Sequence, residues 1–156
     1  MIRVQEEPFD IAREIQAIKD GNTKIGGIAC FVGTVRELTG GAAISAMTLE
    51  HYPGMTEKAL EEIEREARDR WPLEGTLIVH RHGRLEPGDD IVLVIAAAAH
   101  RQDAFDACQF LIDWLKTKAP FWKSEAGADG DLWVEARGTD DDAAERWNTA
   151  EPETTD

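Results

Sequence analysis

Two cysteines are all that 156 residues contain. Cys30 and Cys108 stand far apart, each in an apolar run, with no CxxC and no Cys/His ligand spacing. A structural zinc site is therefore not expected, and both thiols read as buried core residues. Bases are scarce as well, with 17 Lys and Arg against 31 Asp and Glu and a net charge of −14. That balance argues against a general nucleic-acid binder, which needs a basic face to neutralise phosphates. Long apolar runs are missing too. The longest, residues 91–99, has the length of a strand and falls far short of the ~20 residues of a membrane span. The N-terminal MIRVQEEPFD has no apolar signal core, so a cytoplasmic location is expected. No GxSxG, P-loop or GxGxxG pattern occurs, and neither a metal nor a cofactor is implied.

The acids are unevenly placed. Residues 139–156 hold seven of them against one base, Arg146. This predicts a single domain over 1–138 and an acidic, poorly ordered tail over 139–156, with Trp147 a candidate for anchoring it. Within the domain, residues 2–5 read as an edge strand and Asp10 as the cap of a helix carrying Ile11, Ile15 and Ile18, stopped by Gly21. Residues 25–36 read as a strand whose Gly26, Gly27 and Gly33 suggest bulges or close backbone approach. A loop over 37–43 leads to a strand over 44–52. Thr56 then caps a helix with Leu60, Ile63 and Ala67 facing inward. Strands over 76–82 and 91–98 flank a turn at 86–89, and the second, apolar throughout, reads as central. The helix over 101–118 stacks Phe105, Cys108, Ile112 and Leu115, widened by Phe110, Leu111 and Trp114, and Pro120 ends it. Residues 121–125 and 132–137 read as a hairpin. The order predicts an α+β domain with a mainly antiparallel sheet.

Against the acidic background, residues 99–125 (AHRQDAFDACQFLIDWLKTKAPFWKSE) gather bases at both ends of one helix. His100 and Arg101 stand where a buried strand passes into that helix, a place suited to an anion. Lys116 lies in its last turn, where the helix dipole favours a cation and Asp113 is within pairing distance. The aromatic turn that follows would bury Lys116 in part and favour it as a base or nucleophile. Lys123 follows Phe121-Trp122 and shares a strand face with Phe121, where snorkelling is the plain alternative. Arg36 ends a glycine-containing strand before a flexible loop. His51, His80 and His82 have no carboxylate or cysteine at ligand spacing and read as structural. These residues describe a basic, aromatic-lined pocket for a phosphorylated or carboxylate ligand.

The same segments resemble the large, catalytic subunit of molybdopterin synthase. They are FVGTVR (31–36), LEHYPGMTEKAL (49–60), RWPL (70–73), HRHGRLEPGD (80–89), AHR (99–101), LKTKAPFWK (115–123) and WVEAR (133–137). The resemblance implies an α/β hammerhead-type fold with an additional antiparallel sheet or hairpin. It also implies a sulfurtransferase that converts cyclic pyranopterin monophosphate into the dithiolene of molybdopterin, in molybdenum cofactor biosynthesis. Sulfur would come from the C-terminal Gly-Gly thiocarboxylate of a small ubiquitin-like subunit, around a homodimer core of a heterotetramer. By the same resemblance Lys116 and Lys123 are catalytic. Thr34, Val35, Arg36, His100, Arg101, Ser124 and Glu125 bind substrate, and Arg137 reaches the site of the other copy. The competing reading is a docking module for a ubiquitin-like tail, in which the lysines serve only in ion pairs.

Overall fold

The apolar run over 91–98 is indeed central. In the computed structural model, which describes residues 1–39, 41–128, 130–134 and 138–148, strand β7 (Asp90–Ala98) lies between β5 (Leu73–Arg81) and β2 (Gly27–Thr34). It is antiparallel to both. A fourth strand, β1 (Ile2–Gln5), runs parallel to β5 at the edge and closes the order β1-β5-β7-β2. The pleat sorts the side chains of β7 between two layers. Val92, Val94, Ala96 and Ala98 face helices α2 (Met55–Arg70) and α3 (Arg101–Lys118), whereas Leu93 and Ile95 face α1 (Ile11–Lys19) through Ile11, Ile15 and Ile18. Both faces are covered, which is why this strand is continuously apolar. Phe110, Leu111, Leu93 and Ile95 are fully buried, each contributing roughly 1.5–3 kcal/mol of hydrophobic stabilisation.

Two of the glycines in β2 and its approach do what the sequence suggests. A Cβ at Gly26 would sit 2.1 Å from the carbonyl oxygen of Ala99, so only glycine lets the chain pass the start of α3. At Gly33 it would meet a methyl of Val92 at 2.7 Å, just where the register with β7 shifts at a bulge.

A second sheet is antiparallel throughout. It contains β3 (Leu38–Thr39), β4 (Ala42–His51), β8 (Phe121–Gly127) and β9 (Gly130–Val134) in that order, with β6 (Gly83–Leu85) also paired to β4. Val35, Ile44, Met47, Leu49 and Leu85 give it a small core of its own. The α+β class and the added antiparallel unit are as expected. The short strands β3 and β6 are not, since pieces of two or three residues carry no readable periodicity.

Several local expectations are corrected. Asp10 caps α1, its Oδ1 accepting from the Arg13 amide at 3.0 Å. Thr56, by contrast, is not the cap of α2: Gly54 is, with its amide donating to Glu57 Oε2 at 2.7 Å. Thr56 is fully buried inside the first turn. Its hydroxyl accepts from the Tyr52 amide at 3.0 Å and donates to the Pro120 carbonyl at 2.9 Å, tying α2 to the end of α3. Phe105 is 60% exposed instead of stacked in the core, and Cys30 is exposed while Cys108 is buried.

The acidic stretch also differs from its expectation up to Asn148. Helix α4 (Gly138–Glu145) and a 3-10 turn (Arg146–Asn148) pack on α3. Ala144 is buried, and Trp147 meets Trp71 and Phe110 edge-on at 5.7 and 5.5 Å. Two anchors, Ala144 and Trp147, hold this stretch against α3 despite the charge around them. Residues 149–156 lie outside the described residues.

Candidate active site

The last turn of α3 and the first half of β8 are joined by Ala119-Pro120, and this short link brings Lys116 and Lys123 to one cavity of about 190 Å³. Thr34 at the end of β2 and His80 near the end of β5 line it as well, over an apolar bed that includes Leu49, Ile112 and Leu115. Lys123 holds its place through β8, where it sits opposite Leu49 of β4. Its ammonium lies 2.8 Å from Oε1 of Glu125, two residues on along the same strand face and buried. Ser124 projects to the opposite face, in register with Thr48 and Trp133, so the pleat separates it from Lys123.

Lys116 is exposed, not half-buried in an apolar turn. The proposed pair with Asp113 does not form. Asp113 is buried and its Oδ2 accepts from Arg146 and, at 2.9 Å, from the indole of Trp147. Lys116 therefore stands beside the cavity without that structural duty. It also borders a larger hollow of about 480 Å³, lined by Phe31, Phe105, Cys108 and Ile112 among others. The two hollows share Phe31, Ile112 and Lys116.

His80 is the residue that sequence reasoning left out. Its imidazole is buried, stacks on Phe121 with centroids 3.7 Å apart and planes 19° from parallel, and has Nδ1 2.8 Å from the Arg81 carbonyl. Burial, with the nearby charge of Lys116, pushes its pKa down to about 4, although the Arg81 carbonyl works the other way. A usable signal was present. Alternation through Thr76 and Ile78 carries His80 onto the helix-facing side of β5, at the end nearest the basic turn.

The remaining expected site residues are not gathered there. Val35 belongs to the small core, and its backbone is engaged, the N–H donating to Asp89 O at 2.9 Å and the carbonyl accepting from Gly88 at 2.8 Å. Arg36 is exposed just beyond β2. His100 caps α3 by backbone alone, and both it and Arg101 are exposed. Arg101 and Lys116 are fifteen residues apart on one straight element, a separation of roughly 22 Å at 1.5 Å per residue. Arg137 lies outside the described residues. Neither thiol is a ready thiolate: burial, helped by the neighbouring Cys30, pushes Cys108 up to about 12, and burial also raises Cys30. Among the described residues no group of three or more His, Cys, Asp and Glu side chains is placed to hold a metal ion, and no helix is long and apolar enough to cross a membrane.

A four-stranded helix-covered sheet joined to a second antiparallel sheet, with a two-lysine cavity lined from both, defines an α+β protein with an enzyme-like site. Comparison with known proteins makes this specific: the model of the MoaE protein family matches residues 4–118, and the chain belongs to that family. It is 56% identical over 146 residues to the molybdopterin synthase catalytic subunit of Pseudomonas aeruginosa, covering 94% of this chain and 97% of that one. The solved molybdopterin biosynthesis MoaE protein from Burkholderia ambifaria superimposes with a TM-score of 0.81 at 55% identity, covering 96% of this chain and 99% of the other. The crystal structure of molybdopterin synthase from Staphylococcus aureus gives 0.76 at 34% identity, over 85% and 96%. Molybdopterin formation is accordingly the chemistry of this enzyme.

Proposed function

We propose that the chain transfers sulfur to cyclic pyranopterin monophosphate, taking it from the C-terminal thiocarboxylate of a small ubiquitin-like subunit and yielding the dithiolene of molybdopterin. The observation that carries this reading is the meeting of Lys116 and Lys123, from separate elements, in one cavity. Lys116 stabilises charge on the acyl group and moves protons, as a neighbouring ammonium at an acyl centre does. Lys123, steadied by Glu125, orients the pterin and offsets developing negative charge. The larger hollow that shares Lys116 offers room for an extended tail to approach. With neither Cys30 nor Cys108 a ready nucleophile, sulfur has to come from a partner. Thr34 lines the same cavity and Glu125 holds Lys123, whereas Val35, Arg36 and Ser124, which lie outside that lining, are assigned to the substrate by resemblance alone.

His100 and Arg101 are assigned to the substrate phosphate. At roughly 22 Å along α3 from Lys116 they are too distant to hold the same small molecule within one chain. The reading therefore includes a homodimer, the core of a heterotetramer, in which the basic pair and Arg137 of one copy serve the lysine cavity of the other. The cytoplasm is the expected setting. The test is to supply the purified chain with thiocarboxylated small subunit and the pyranopterin. Dithiolene formation is the expected result, and none with folded, complexed protein overturns the assignment.

A further inference from the structure

His80 lines the cavity that holds Lys116 and Lys123, yet the sulfur-transfer scheme gives it no task. Its ring is fixed on every side the structure reveals. Phe121 covers one face, stacked at 3.7 Å. A backbone carbonyl only accepts, so the Nδ1 that lies 2.8 Å from Arg81 O carries the proton. That tautomer leaves Nε2 with a free lone pair. Burial keeps the ring neutral, and so the lone pair stays available near neutral pH.

The other polar groups of the cavity differ in kind. Lys116 and Lys123 are donors only and suit anionic oxygens, and the hydroxyl of Thr34 can donate as readily as accept; the carboxylate of Glu125, beside the cavity, is already faced by Lys123. A neutral, pinned ring nitrogen suits an N–H. We propose that His80 is a substrate-binding residue, its Nε2 accepting a hydrogen bond from a ring N–H or amino group of a nitrogen heterocycle held between the two lysines. This rests on the pyranopterin reading above, whose reduced pterin ring carries such donors. An acceptor that loses its donor when ligand covers it disfavours analogues that lack the N–H, which makes His80 a specificity element as well as a binding one.

The experiment uses the full chain with ¹⁵N-labelled histidine and the pyranopterin itself. In the free protein His80 is expected as the Nδ1–H tautomer, and its Nε2 resonance should shift when ligand saturates the site. His80→Phe, which keeps the stacking and removes the acceptor, should weaken binding about tenfold. His80→Gln, whose amide oxygen can accept from the same place, should recover most of that loss. An Nε2 signal unmoved by bound ligand overturns the proposal on the wild-type protein alone, whatever the fate of either variant. Unchanged binding by His80→Phe also overturns it, since only packing, which that variant keeps, would then be at stake. If wild-type protein binds no pyranopterin, the substrate reading fails together with this proposal, and that outcome is distinct from the other two.

Discussion

The two ends of α3 carry similar charge and have very different surroundings. At the C-terminal end Lys116 borders a cavity shared with Lys123, Thr34 and a buried neutral imidazole, over an apolar bed. At the N-terminal end His100 and Arg101 are exposed, with no side-chain capping bond from His100. Charge development on a reacting group is best stabilised where donors are fixed in advance, and Lys123, held against the buried Glu125, provides that at the first end. A solvated pair suits phosphate capture, where a charge-assisted bond supplies affinity more than rate. The difference teaches that basic residues clustered in sequence need not share a site. One helix here holds Lys116 and the His100–Arg101 pair roughly 22 Å apart within a chain.

The largest effect should come from removing the group at the cavity end. Lys116→Ala is expected to lower the rate of dithiolene formation by about 10²–10⁴-fold with small-subunit binding intact, as acid–base or electrostatic groups do. Single-turnover kinetics and a pull-down check the two halves of that statement. Activity within a few-fold of wild type would erase the contrast between the ends.

Acid should act on the cavity end. His80 is held near 4 against an ordinary 6.5, so the unfolded chain binds the extra proton first. Its contribution is full above about pH 6.5 and is lost as pH falls toward 4, amounting to roughly 3 kcal/mol at most. Denaturant titrations across that window should show the decline, and a smaller slope for His80→Gln.

At the N-terminal end, Arg101→Ala is expected to raise KM or Kd for the pyranopterin with little change in kcat, a loss of about 1.5–3 kcal/mol for a charge-assisted phosphate bond. A fall in kcat alone would move Arg101 into the chemistry. The smallest effect belongs to the middle of the helix. Asp113→Ala strips the Trp147 indole of its acceptor and Arg146 of one partner, and should cost about 1–2 kcal/mol of stability, read as a drop in Tm and faster amide exchange in α4.

Much of this was legible in the chain itself. The 3.6-residue period gives the buried face of α3, and the unbroken apolar run gives the central strand β7, because both faces of that strand meet the core; alternation and turn residues give the hairpin of β8 and β9. The two lysines were legible through their spacing around Pro120. What stayed hidden depends on partners distant in sequence. Thr56 looks like a helix cap until the Pro120 carbonyl, 64 positions on, is seen to claim its hydroxyl. His80 looks like a strand histidine until Phe121 and Lys116 surround it. The tail looks unstructured by charge, yet Asp113 and Phe110 supply a polar and an aromatic seat for Trp147. The separation of His100–Arg101 from the lysines could have been computed from helix length, once the helix was trusted to run unbroken to Lys118.

The contrast between the two ends of α3 makes one demand that subunit exchange can examine. A Lys116→Ala chain is mixed with a His100→Ala, Arg101→Ala chain at low substrate concentration, where each alone is inactive. If the basic pair serves the other copy's cavity, each mixed dimer has one site lacking both functions and one site intact, so about half its sites should regain activity. Demonstrated exchange with no regained activity would contradict the shared site, because every mixed site would then lack one function.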